Sequence, residues 1–202
     1  RAFLRMSYVA NLLCYVVLGV LRQLYEALAD HLWHGSGPAQ IHSGLLAVLA
    51  AASTATFAVL AVAHRWPCRI RRFVLFQILM VAGLALIAGT SAVWLAAAGF
   101  AMVGVAAGFF YSGSIYYSLQ GRQGARHLAG WHEAVIGLGK LGGILLGLAP
   151  ALLARLGMRS EEFLVRSPYV VLVCLAVAAS CVQLCIYRRS RLCGGSSVPL
   201  PR

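Results

Sequence analysis

A lysine in the middle of a long apolar run is the residue of this sequence with the most chemistry to explain. Lys140 stands about twelve residues into the stretch Leu128 to Leu153. An ammonium at that depth in hydrocarbon needs a counter-charge, water or an anionic ligand. The position predicts anionic-ligand binding or proton coupling, with a snorkelling or carbonyl-paired lysine as the structural alternative. Glu133 lies two helical turns earlier, roughly 10 Å along the axis, so the two cannot pair directly but can line one cavity. Glu133 is also placed to tether the preceding connection through Arg122 or Arg126, as a gate. Arg22 and Glu26 stand one turn apart, the spacing of an intrahelical ion pair near a membrane edge. Asn11 and Gln77 are mid-depth amides. Both are expected to form interhelical hydrogen bonds, with cavity lining as the alternative for Asn11.

Other reactive patterns point nowhere. An intramembrane serine hydrolase wants a glycine-framed serine and a histidine in a late span. Gly113-Ser114 lacks that frame, and the last apolar stretch has no histidine. Metal-dependent lipid transfer needs clustered aspartates, and Asp30 stands alone. His42, His64 and His132 fall near stretch ends, which argues against paired haem ligation, and His31-x-x-His34 by itself is weak metal chemistry. Cys174, Cys181 and Cys185 share a helical face, which suggests a soft-metal path or, more plainly, small packing residues. There is no phosphate-binding loop. No enzyme activity, metal or cofactor is expected, and the cysteines form no disulfide framework.

The elements that must hold these residues are six apolar spans. They run approximately 3–25, 41–64, 73–89, 92–119, 128–153 and 168–187. Each is close to the roughly 20 residues that cross a ~30 Å hydrocarbon core. No charge interrupts Phe73 to Leu119, which as one helix would be roughly 70 Å long, so a break is placed at Gly89-Thr90-Ser91. At 61% hydrophobic and 11% charged, with apolar character all round most helices, the chain reads as an all-α membrane bundle. The net charge of +12 is not a nucleic-acid signal, because the arginines lie between spans and no recognition motif accompanies them. Arg1 and Arg5, Arg65, Arg69, Arg71 and Arg72, Arg122 and Arg126, and the arginines after Tyr187 all fall on one side. The positive-inside rule then places both termini in the cytoplasm of a multi-pass cell-membrane protein. Residues 1–190 form the bundle, and 191–202 are expected to be a disordered cytoplasmic tail. A start at Arg1-Ala2-Phe3 without methionine suggests a piece of a longer polypeptide or a truncated gene product.

Small residues carry the packing signal. Gly139, Gly143 and Gly147 fall four apart, and Gly104, Gly108 and Ser112 repeat the spacing in the fourth span. The run Gly139-Lys140-Leu141-Gly142-Gly143-Ile144-Leu145-Leu146-Gly147 resembles the glycine-proline motif g-x-x-x-G-P-x-x-G-G of the major facilitator superfamily. The six spans, the basic second-to-third loop and the stretch Tyr116 to Arg122 with Arg126 and Gly130-Trp131-His132-Glu133 are similar to that family's C-terminal six-helix half. Ile144 stands for the motif proline and Leu148 for its last glycine, so no antiport is implied. His64 to Arg72 is a degenerate form of the G-x-x-x-D-R-x-G-R-R loop, with His64 in the aspartate position and Pro67 in that of glycine. The resemblance implies half of a secondary carrier, with a small-molecule cavity against a missing N-terminal half. The first, second, fourth and fifth spans would face cavity or partner, and the third and sixth lipid. The rival reading is a non-transporting six-span scaffold or regulatory subunit that pairs with a partner copy, or a truncated inactive carrier fragment.

Overall fold

The computed structural model describes residues 2–33, 37–63, 66, 69–119, 125–157 and 161–193, without the side chains of 125–129, 151, 161–162 and 191–193. The described residues contain no strand. They form α1 (Ala2–Gln23), α2 (Tyr25–Leu32), α3 (Pro38–Val62), α4 (Ile70–Gly89), α5 (Val93–Leu119), α6 (Ala125–Gly147), α7 (Ala149–Arg155) and α8 (Glu161–Cys193). Among the described residues, six segments are long and apolar enough to cross a membrane: Ala2–Gln23, Pro38–Val62, Ile70–Gly89, Val93–Leu119, Gly130–Arg155 and Phe163–Ser190. The chain is a multi-pass helical membrane bundle.

Local chemistry sets the boundaries. The turn at Gly89-Thr90-Ser91 falls where expected, and Thr90 Oγ1 accepts the Ala92 N–H at 3.0 Å. That matters because a backbone donor without a partner is costly where water is scarce. The first span stops at Gln23 rather than Tyr25, and α2 fills much of the expected loop. Gly37, at φ 70°, then turns the chain in the left-handed region that glycine tolerates, and Pro38 opens α3. The fifth span is likewise divided, with α6 ending at Gly147 and Pro150 in the first turn of α7.

The last span departs most from expectation. In the sequence the sixth span begins at about Pro168. Instead α8 is continuous through Pro168. Proline has no N–H for the carbonyl four residues back, here Leu164. Ser167 Oγ donates to that same carbonyl at 2.9 Å, so the defect is repaired from the neighbouring residue.

The packing order of the helices defines two sides. α1 and α5 touch at the centre, α3 packs on α5, and α6 packs on α1. α4 lies on α5, and α8 lies on α4 and α1. The row α3–α5–α1–α6 thus forms a front, with α4 and α8 behind it.

Lipid tails supply little hydrophobic force between helices, so close approach and buried polar bonds hold the assembly. A Cβ on Gly143 would lie 2.8 Å from Val16 O and 3.0 Å from Gly19 Cα, and one on Gly139 2.8 Å from Leu12 O. Gly147 is less confined, at 3.4 Å from Leu24 Cδ2. The α6 glycines therefore seat on α1, whereas the α5 glycines seat on α3. A Cβ on Gly104 would collide with Leu49 O, and one on Gly108 would lie 2.8 Å from Ser53 O. Gly83 and Gly99 make a third such contact between α4 and α5, where either Cβ would meet the other's carbonyl at 2.8 Å.

The two ends differ. At the end carrying Ala2, Phe3 packs against Phe73, Tyr117 and Tyr187 with centroids 6.1, 5.7 and 6.3 Å away. There Trp66 donates to Leu60 O at 3.1 Å and packs on Tyr116 at 5.2 Å. Tyr117 is itself buried within the bundle. The opposite end is clasped by side chains on carbonyls. Trp33 Nε1 donates to Ser91 O at 2.7 Å, Arg166 Nη1 donates to Ala88 O at 2.6 Å, and His42 Nε2 meets Leu21 O at 3.1 Å.

Candidate functional site

The front carries a strip of polar and aromatic side chains drawn from four helices. On α5, Ser114 and Ser118 are one turn apart and both buried. Ser118 Oγ donates to Ser114 O at 2.7 Å. Its single hydrogen is thereby used, so in the 3.1 Å contact with Tyr8 the tyrosine is the donor and Ser118 Oγ the acceptor. Ser114 Oγ lies 2.8 Å from His132 Nδ1 of α6. Tyr111 packs on His132 at 5.4 Å, on Tyr15 of α1 at 6.3 Å and on Phe57 of α3 at 5.6 Å. Lys140 Nζ stands 5.8 Å from the centre of the Tyr15 ring. That is cation–π range, and it answers the sequence question of what the ammonium finds at mid-depth.

His132 is the most constrained member of the strip. It is buried, and its Nε2 has no hydrogen-bond partner. A neutral imidazole carries one N–H and one lone pair. If Ser114 donates to Nδ1, Nε2 is an unused donor; if Nδ1 donates to Ser114, Nε2 is an unused acceptor. Either tautomer leaves one open valence beside Glu133. His132, Glu133, Tyr111 and Ser118 line a cavity of about 330 Å³, which shares Tyr111, Ile115 and Leu119 with a cavity of about 570 Å³ against Phe57 and Trp66.

The residues singled out in the sequence are distributed unevenly around this strip. Lys140 and Glu133 are both exposed on the front of α6. Asn11 is fully buried in α1, and neither of its amide atoms has a partner, so the expected interhelical bond is not formed. Gln77 does form one, through Nε2 to Ala176 O at 3.2 Å, but on the back of the bundle. Arg22 and Glu26 are exposed on separate helices, with α1 interrupted at Leu24 between them, and they do not pair with each other. Arg69 is exposed at the start of α4. Arg65 and Arg122 lie outside the described residues, as does the side chain of Arg126, so the expected tether to Glu133 falls outside them too. No group of three or more potential metal ligands occurs among the described residues.

Tyr8, Tyr15, Ser114 and Ser118 were not singled out as site residues by sequence, and His132 was noted for its position near a span end and within the Gly130-Trp131-His132-Glu133 stretch, not as a site residue. Their signal was present as periodicity: Tyr8 and Tyr15 are two turns apart on α1, and Ser114 and Ser118 one turn apart on α5. No family model matches this chain, and searches of curated proteins and of solved structures return no significant match.

Proposed function

We propose that this bundle is one half of a secondary transporter of major-facilitator type, moving a small molecule by alternating access. The helix order carries the reading. Two central helices, each seated by glycines on an outer neighbour, present a polar strip at the front, while α4 and α8 close the back. A substrate cavity between two such bundles would place Lys140, Glu133 and His132 against solute rather than lipid. Charged groups exposed at membrane depth fit that placement. Lys140 would meet an anionic group of the solute, and the open valence of His132 would take a hydrogen bond or a proton. The arginine distribution supports both termini in the cytoplasm of a cell-membrane protein.

The experiment is a thermal-shift panel of small metabolites on the complete polypeptide, followed by uptake of the hits. Lys140→Ala should abolish uptake of an anionic hit while membrane abundance is unchanged. Unchanged uptake would remove Lys140 from the pathway. The rival reading, a non-transporting module, draws on the exposed apolar side chains of α6, where Leu138, Leu141 and Leu145 are more than half exposed. It predicts a stable self-assembled complex and no hit that is transported.

A further inference from the structure

Behind the strip, α4 and α8 enclose a groove whose polar atoms the transport reading does not use. Its cavity is about 330 Å³, with walls that include Met6, Phe73, Val74, Val81 and Leu184. Gln77 and Gln183 also line it, each only 3% exposed. The bond from Gln77 Nε2 to Ala176 O fixes that amide and leaves Oε1 as an acceptor without a partner. Gln183 Nε2 is a donor without a partner. Ser180 has no hydrogen to offer, because its hydroxyl donates to Ala176 O at 2.7 Å, and it keeps only acceptor lone pairs. The groove therefore holds an amide oxygen, Gln77 Oε1, and an amide nitrogen, Gln183 Nε2, that are buried and unpartnered between apolar walls.

We propose that this groove binds a neutral apolar molecule bearing a single hydroxyl, of the fatty-alcohol class. A hydroxyl donates and accepts through one oxygen, so it can give its hydrogen to Gln77 Oε1 while accepting from Gln183 Nε2. A carboxylate would set negative charge against Oε1, an ether would lack the hydrogen, and a bare hydrocarbon would leave both amides unpaired. The volume is at the small end of ligand pockets, about 300–1,000 Å³. Leu75 and Ile78, 58% and 60% exposed on the same helix, present the hydrocarbon-facing surface from which such a molecule would enter. This site stands independently of transport at the front.

The test is photolabelling of the chain in phosphatidylcholine nanodiscs with a diazirine-bearing 1-decanol. Label should map to α4 and α8 peptides. Unlabelled 1-decanol should compete at least fivefold better than decyl methyl ether. Gln77→Leu and Gln183→Leu should each lower labelling about fivefold. Equal competition by the ether would overturn the proposal, and that comparison needs no variant to fold. Unchanged labelling in both variants would also overturn it, showing that the two amides satisfy each other and the groove takes any alkyl chain.

Discussion

Replacing Gly143 with alanine adds one methyl group where α6 crosses α1, and the geometry sets the size of the effect. The new Cβ would lie 2.8 Å from Val16 O and 3.0 Å from Gly19 Cα, where ordinary contact begins at 3.4 Å. The shortfall against Val16 O is thus about 0.6 Å, and both obstructing atoms are backbone that cannot rotate aside. The helices must separate instead. Overpacking of this kind costs about 1–3 kcal/mol, offset by about 0.5–1 kcal/mol from alanine's better helix propensity. The net loss of about 1–2 kcal/mol corresponds to a melting temperature lower by about 3–6 °C for a chain of this length. Gly137→Ala is the matched control, since its Cβ meets nothing within 4 Å. It should leave the melting temperature unchanged or slightly raised. The assay is thermal unfolding in detergent micelles, followed by intrinsic tryptophan fluorescence. Equal destabilisation by the two variants, or none by Gly143→Ala, would refute close backbone approach as the force holding α6 to α1.

Three further outcomes follow from the polar contacts. Ser114→Ala should destabilise by about 1–3 kcal/mol in the same assay, because it leaves the buried His132 ring without its partner. Trp33→Phe should cost about 0.5–1.5 kcal/mol and speed amide exchange in α2 while α5 stays protected, since only the clasp to Ser91 is lost. Ser167→Ala should destabilise by about 1 kcal/mol in the native background but not alongside Pro168→Ala, where a restored N–H takes over the Leu164 carbonyl. Additive effects in that double-mutant cycle would show that the serine does not repair the proline.

The spans were legible because hydrocarbon selects for unbroken apolar runs, and the Gly89-Thr90-Ser91 turn was legible from the length one helix would otherwise need. Helix ends were less so. Pro168 reads as a helix start in sequence, and only its place beside Ser167 shows why the helix runs through it. The glycine rows announced close neighbours without naming them, since a helical stripe has no partner label. Gly19, Gly83 and Gly99 went unnoticed because each lacks a small residue four positions away on its own helix. The strip was hidden for a different reason. Its tyrosines, serines and histidine are ordinary on their separate helices, and they acquire meaning only when α1, α5 and α6 pack. Lys140 and Glu133 were visible at once, because charge at membrane depth is conspicuous in any sequence.

Thiol accessibility at the front and back of the bundle addresses the account most directly. With the native cysteines replaced, single cysteines would be placed at Lys140 and Glu133 and, on the back, at Leu75 and Ile78. Reaction in native membranes with a charged, membrane-impermeant methanethiosulfonate would then be timed. A water-lined front predicts rates at positions 133 and 140 at least tenfold above those at 75 and 78. Equal, negligible rates at all four positions would place the front in lipid or in a dry interface and contradict a solute pathway there.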